Sequence, residues 1–396
     1  MAMSDYAPSR RVPTARPGSE VVAFVRRLDL ILLGAVVAIV AYGLWGVAGI
    51  TRYDVEGDEG YFVTRQLIAI GLGFTGLFVA LAIDPERLRR ARHAIYGSTI
   101  LLMLLVFPLA QETRGAKRWI DLGPFQFQPS EFGKLLFVLA LAGFLADRLR
   151  RLHEPRILLQ AIALGALPIA LVFKQPDLGT ALVYGAALLA CLFVAGLRWP
   201  HFLALLLTGV AVAVSVLVLL PRLGVELLEP YQKQRLTGFT NSDLDPSGTT
   251  YNVNQSMTAI GSGGLDGRGV DGATQTRFGF TPEAETDFVF ASFAEQRGFV
   301  GAALLLGFYL LIVWRALRVI TVARNAFGAI VAGGIVVAFL FQVFVNVGMT
   351  MGIAPVTGIP LPFVTVGGSS MVVNLLAMGM LLSIHVRGTG NQRRPG

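Results

Sequence analysis

Asp287 is the ionisable residue whose setting in the sequence is hardest to explain by architecture alone. It ends the run Thr281-Pro-Glu-Ala-Glu-Thr-Asp and is followed directly by Phe-Val-Phe-Ala. Thr281 as N-cap with Pro282 at the first helical position predicts a helix starting there. Glu283 and Asp287 would then lie four apart on one face, with Glu285 pointing elsewhere. The helix dipole accounts for Glu283 near the N-terminus. It does not account for Asp287, at the border of an apolar run. Desolvation at such a border raises a carboxylate's pKa toward the range useful for a general base. Glu295 and Arg297, further on, read as a local pair.

Other segments hold chemistry-bearing residues too. In 111–134, Lys117, Arg118 and Trp119 form a basic-aromatic cluster suited to a phosphate or a sugar, with an interfacial anchor as the competing account. Ser130 after Pro129 starts a helix, and Glu131 and Lys134 then pair at i, i+3. Both fall in the first turn of an apolar helix, where ionisable groups are costly and line a cavity unless they form a structural ion pair. In 174–180, Asp177 stands beside a helix start, where Asp is a favoured cap; such a cap can also face a cavity.

The stretch 221–297 contains Tyr231-Gln-Lys-Gln-Arg235 and then Asp243-Leu-Asp-Pro-Ser-Gly. The second run matches half of a calcium loop, but Asn254 stands where the bidentate Glu is needed, so it reads as a turn. Gly261-Ser-Gly-Gly-Leu-Asp-Gly-Arg-Gly fails both nucleotide-loop patterns, though its N–H groups could meet a phosphate. In 355–370, three prolines and three glycines forbid a continuous helix. Ser369 and Ser370 then open the last apolar run, either as simple caps or as an anion cradle.

These segments need elements to position them. Of 396 residues, 54% are hydrophobic and only 15% charged, against roughly 25% charged in soluble domains. Soluble and disordered classes are excluded. A spanning helix needs about 20 mostly apolar residues. Ten runs qualify or nearly do: roughly 28–50, 67–83, 94–110, 130–146, 157–173, 178–197, 201–220, 298–317, 326–348 and 368–386. The expected fold is therefore an all-α integral membrane protein of about ten spans, with 221–297 a large extracytoplasmic loop between spans 7 and 8.

Orientation follows from the basic residues. Arg26, Arg27, Arg89, Arg92, Arg148, Arg151, Arg315, Arg318 and Arg387 fall on one side, whereas the first opposite loop carries Asp54, Glu56, Asp58 and Glu59. Both termini are expected in the cytoplasm: 1–27 as a tail, 28–386 as the membrane domain, 387–396 as a second, disordered tail. The net charge of +8 is then positive-inside topology and attraction to anionic membrane lipid, not a nucleic-acid footprint. One cysteine and four scattered histidines offer no disulfide framework or metal cluster.

The motifs together resemble the SEDS family of membrane glycosyltransferases, the RodA, FtsW and SpoVE group. The likeness is carried by Gly115-Ala-Lys-Arg-Trp-Ile, Gln128-Pro-Ser-Glu-Phe-Gly-Lys, Gln175-Pro-Asp-Leu-Gly-Thr, Ala259-Ile-Gly-Ser-Gly-Gly, the Pro282–Ala291 run and Gly358-Ile-Pro-Leu-Pro-Phe with its Gly-Gly-Ser-Ser. Gly272-Ala-Thr-Gln-Thr-Arg-Phe-Gly-Phe and Val373-Asn-Leu-Leu-Ala-Met-Gly resemble the RodA, or elongation, branch more than the division branch. The resemblance implies a peptidoglycan glycosyltransferase that polymerises lipid II at the outer face of the bacterial cytoplasmic membrane, alongside a class B penicillin-binding protein. It makes Asp287 the essential carboxylate. Lys117, Arg118 and Arg235 become candidates for the pyrophosphate, with Glu131, Lys134, Asp177, Ser369 and Ser370 lining the substrate cavity. No cofactor is required by this chemistry, and a divalent cation at the pyrophosphate stays open. Two positions depart from the family pattern: Glu285 stands where His is frequent, and Thr365-Val366 where Ser-Tyr is usual. A lipid II flippase is the rival expectation; the long loop and acids on one face, and the lack of visible repeat symmetry, argue against it.

Overall fold

The computed structural model describes residues 26–55, 57–113, 116–121, 123, 125–224 and 249–392. Arg235 and the Asp243 run lie outside them. In chain order the helices are α1 (Leu30–Ile50), α2 (Tyr61–Ala82), α3 (Pro85–Arg90), α4 (Arg92–Leu109), α5 (Pro129–Ala146), α6 (Pro155–Lys174), α7 (Leu178–Val194) and α8 (Trp199–Val214). Then follow α9 (Thr249–Ser262), α10 (Gly269–Gly272), α11 (Thr274–Arg277), α12 (Val289–Val322), α13 (Ala326–Thr350) and α14 (Gly368–Gln392).

Among the described residues, eight helices are long and apolar enough to cross a bilayer, and α7 and α8 are shorter apolar helices. α7 stops where Gly196 turns left-handed at φ +91°. The expected 201–220 helix is interrupted, because α8 passes into a π-helical turn at Ser215–Leu219. The last helix runs on to Gln392, beyond the expected end at 386.

The bundle is ordered from the inside out. In α14, 94% of the spanning window is buried, which makes it the central post despite its ordinary composition. It lies along α2 at a close crossing: a Cβ on Gly379 would sit 2.3 Å from the Leu77 carbonyl oxygen. Small residues permit such backbone approach where no water drives helices together. By contrast, α8 exposes Leu203, Leu207 and Val210. An apolar periphery around a packed centre is the surface of a multi-pass membrane protein.

Arginines at helix ends tie neighbouring elements together. Asp29 caps α1, accepting from Leu32 N at 3.0 Å, and its Oδ2 accepts from Arg315 Nε and Nη2 on α12 at 3.0 and 2.7 Å. This two-pronged, buried contact satisfies both charges at once. Arg387 on α14 donates to the Leu81 and Ala82 carbonyls that end α2.

Between α4 and α5 the chain forms a three-stranded antiparallel sheet, β1 (Gln111–Thr113), β2 (Ala116–Asp121) and β3 (Gln126–Phe127), in the order β1-β2-β3. Glu112 pairs with Lys117, and Ile120 with Phe127. Strands of two to six residues carry too few alternations for periodicity to reveal them.

Candidate active site

The ends of several helices meet at one end of the bundle, where α5, α7, α12 and α14 begin and α13 stops. The Asp287 turn is built here. Residues 281–288 are turns, and α12 begins only at Val289, with no side chain capping it. The helix expected from Thr281 does not form, because Glu283 takes a left-handed φ of +54°. Glu283 and Asp287 therefore do not share a helix face. Instead the Glu283 carbonyl accepts from both Thr286 N and Phe288 N, at 3.1 and 3.0 Å, and its Oε2 accepts from the Thr286 hydroxyl at 2.9 Å.

This turn is held from outside by three bonds to its backbone. Asn346 Nδ2 donates to the Asp287 carbonyl at 3.0 Å and to the Ile359 carbonyl at 2.8 Å. Thr365 Oγ1 donates to the Thr286 carbonyl at 3.0 Å, and Val366 N to the Glu285 carbonyl at 3.0 Å. The proline-rich 355–366 segment is thus a clamp, and its irregular backbone is tolerated because it is buried in protein. Asp287 itself is half-buried and directly precedes the fully buried Phe288. Thr365 occupies one of the two positions that depart from the family pattern; its hydroxyl is used to hold the turn.

A second group gathers around Asp177. Its Oδ1 caps α7, accepting from Thr180 N at 3.1 Å, as expected of an N-cap. Oδ2 accepts from Gln128 Nε2 at 3.1 Å. The Arg118 guanidinium lies 3.9 Å from Oδ1 and donates to the Pro176 carbonyl. Ser369 Oγ accepts from Gln128 N at 2.9 Å and donates to the Gln126 carbonyl at 2.8 Å. Ser370 accepts from Asn374 Nδ2 at 3.2 Å. Both hydroxyls expected to cradle an anion are thus engaged in tying the start of α14. Lys117 falls on β2 beside Arg118. The two groups share a floor, since Val183 of α7, Val345 of α13 and Ile359 pack together.

Glu131 and Lys134 pair as expected, with Nζ 2.8 Å from Oε2 and both side chains buried. Among the described residues neither Glu131 oxygen accepts a directed hydrogen bond, so the carboxylate is compensated by charge alone. Lys134 borders a void of about 40 Å³ with Gln342 and Asn374. These amides, like Asn346, break otherwise apolar helices, and that break was the signal in the sequence that could have singled them out. Tyr184 and Gln128 were missed because an aromatic inside an apolar helix and a glutamine just before one carry no such contrast; Tyr184 donates to the Ser130 carbonyl at 2.9 Å.

Glu295 and Arg297 go separate ways. Glu295 is buried and accepts from Gln275 N, Thr276 N and the Thr276 hydroxyl, capping α11. Arg297 lies over the Trp45 ring, 3.3 Å from its centroid. The glycine-dense run packs against the kink of α12 instead of opening to a ligand: Gly298 has φ +66°, and a Cβ there would meet Gly267 N at 2.3 Å. Phe299 N and Val300 N donate to the Gly264 and Leu265 carbonyls across this crossing. Nearby, the Tyr53 hydroxyl donates to Asp271 at 2.6 Å, which holds the phenol above its usual pKa. Among the described residues no group of three His, Cys, Asp or Glu side chains is placed to hold a metal ion.

A bundle of membrane helices with a clamped, half-buried carboxylate and a basic-acidic cluster at one end is an integral-membrane protein with a polar site at the bilayer border. The FtsW, RodA and SpoVE family profile, described as "Cell cycle protein", matches residues 24–389. The chain belongs to that family. It is 36% identical over 360 residues to the peptidoglycan glycosyltransferase MrdB of Escherichia coli K12, covering 90% of this chain and 93% of that protein. It is 33% identical over 374 residues to the stage V sporulation protein E of Bacillus subtilis 168, covering 94% and 98%. Among solved structures it matches the rod shape determining protein RodA of Thermus thermophilus with TM-score 0.67, 30% identity and coverage of 93% and 98%. It also matches a chain from a structure titled "Structural coordination of polymerization and crosslinking by a peptidoglycan synthase complex", with TM-score 0.76, 32% identity and coverage of 91% and 98%.

Proposed function

We propose that this chain is a peptidoglycan glycosyltransferase that polymerises lipid II into β-1,4-linked glycan at the outer face of the bacterial cytoplasmic membrane. The observation that carries the reading is the Asp287 turn, held by Asn346, Thr365 and Val366 through its backbone carbonyls. Such preorganisation is what positioned acid–base chemistry requires.

In the proposed step, the Asp287 carboxylate takes the proton from the acceptor GlcNAc 4-hydroxyl. That oxygen attacks the anomeric carbon of the lipid-linked MurNAc and the bond to the pyrophosphate breaks, with inversion. The bond's electron pair leaves on the pyrophosphate oxygen. Lys117, Arg118 and Arg235 meet that charge, with a divalent cation as the second candidate, distinguished by chelation. Glu131, Lys134, Asp177, Ser369 and Ser370 shape the substrate cavity, the last three by fixing the starts of α7 and α14.

The topology we propose has ten spans, α7 and α8 included, and both termini in the cytoplasm, supported by the arginines at one end of the bundle. The similarity to MrdB and RodA supports a role in elongation and rod shape. The complex named in the matching structure supports a crosslinking partner, a class B penicillin-binding protein. The test is polymerisation of labelled lipid II by purified protein, alone and with that partner, wild type beside Asp287→Asn. Long strands from wild type only are expected. Strands of near-normal length from the variant would overturn the base assignment. No strands from either, together with lipid II translocation in vesicles, would favour the flippase.

A further inference from the structure

At the other end of α5, away from Asp287, the structure contains a groove of about 490 Å³ that the reaction does not use. From Glu131 to Arg148 the helix advances about 25 Å, close to the thickness of a bilayer's hydrocarbon core. The groove therefore opens at the leaflet opposite the candidate active site. Its floor is apolar, made by Phe137, Leu141 and Phe144 of α5. Its walls are α4 and α6, joined where the Tyr96 hydroxyl donates to the Leu164 carbonyl at 3.0 Å.

The mouth is basic. Among the described residues Arg92, His93 and Arg148 line it, and no carboxylate does. Asp147, just outside, is shared between Arg89 and Arg92 at 2.7 and 2.8 Å, and Glu86 lies 3.6 Å from Arg89. One Asp147 carboxylate thus serves two guanidiniums, and Arg92 Nε is buried with no hydrogen-bond partner among the described residues. Arg148 is folded over Phe144, 4.2 Å from the ring centroid, with Nη1 donating to the Phe144 carbonyl at 3.3 Å. No side chain caps α4, and Arg92 in its first turn sits against the positive end of its dipole. An anion at the mouth relieves that repulsion.

We propose that this groove binds one anionic phospholipid, with its phosphate between Arg92, His93 and Arg148 and an acyl chain along Phe137, Leu141 and Phe144. Guanidiniums match phosphate oxygens in geometry and charge. The long apolar floor distinguishes a lipid from free phosphate, for which it would have no use. The groove and its charges do not depend on what the opposite end catalyses.

The test places the full-length protein in nanodiscs of equal phosphatidylglycerol and phosphatidylethanolamine, releases it into mild detergent, and counts retained lipids by native mass spectrometry. One phosphatidylglycerol is expected per chain, retained over phosphatidylethanolamine by about tenfold, the scale of one or two basic contacts. Arg148→Gln should erase the preference, and Ala163→Trp, which fills the groove without changing charge, should lower retention of both lipids. Thermal unfolding checks that each variant is folded. Equal retention of the two lipids by wild type, or a preference untouched by both substitutions, would overturn the proposal. So would displacement of the phospholipid by undecaprenyl pyrophosphate added at equal concentration, which would make the groove a prenyl-pyrophosphate site. Asp287→Asn should retain the lipid as wild type does, so this result stands apart from the polymerisation assay.

Discussion

Asn346 holds Asp287 by its backbone: one carboxamide nitrogen reaches the Asp287 carbonyl at 3.0 Å and the Ile359 carbonyl at 2.8 Å. Asn346 is fully buried on α13, so a single side chain joins the turn that carries the carboxylate to the proline-rich clamp. The carboxylate's position is therefore set from a helix nearly sixty residues further along the chain.

Asn346→Leu removes both donated bonds, each lost buried hydrogen bond costing about 1–3 kcal/mol. The turn then relaxes, and misplacement of the base by about 1 Å is worth roughly a hundredfold in rate. Strand synthesis by the folded variant is expected to fall by that order while lipid II binding changes little. A variant with full activity would show that the clamp does not position Asp287.

Asp177 combines a cap with a charge, and the two can be separated. Asp177→Asn keeps an oxygen for Thr180 N and removes the charge beside Arg118; Asp177→Ala removes both. The alanine variant should lose about 1 kcal/mol of stability that the asparagine variant retains, read from thermal unfolding. If the charge steers Arg118, both variants should show an altered KM for lipid II.

The Glu131–Lys134 pair should behave as a unit. Lys134→Met leaves a buried carboxylate with no compensating charge and should cost about 3–5 kcal/mol. Adding Glu131→Gln should recover most of that loss, measured by unfolding in detergent. Polymerisation should stay impaired in the double variant if the pair also faces substrate. Full recovery of activity would reduce the pair to architecture.

The Tyr53–Asp271 contact gives a pH dependence whose sign is fixed. The bond raises the Tyr53 pKa above its unperturbed 10.0, so its contribution is complete below that value and lost as pH rises through the folded-state pKa. Hydrogen exchange at 269–272 should accelerate above about pH 10 in wild type. Tyr53→Phe should exchange faster at neutral pH and show no such step.

Much of this protein's helical architecture was legible in its sequence because the bilayer imposes a simple rule: apolar runs of spanning length. The Asp177 cap and the Glu131–Lys134 pair were legible too, because caps and i, i+3 pairs are local. Asp287 stood out as a lone acid against an apolar run. The failures have one cause. Thr281-Pro282 is a sound helix start, yet the 281–288 segment takes its shape from three hydrogen bonds with Asn346, Thr365 and Val366, all distant in sequence. Glu295 looked like a partner for Arg297, but the tertiary fold brings unsatisfied N–H groups of α11 within reach, and a buried carboxylate goes where the donors are. For Ser369 and Ser370 the sequence left cap and anion cradle equally open, and only the fold shows their hydroxyls meeting β3 and Asn374. What the sequence determined by itself was which segments form long apolar helices and which residues are too costly in them to be idle. Which polar groups meet, and which of them are already satisfied, was decided by tertiary packing, because a hydrogen bond between distant segments leaves no periodicity to read.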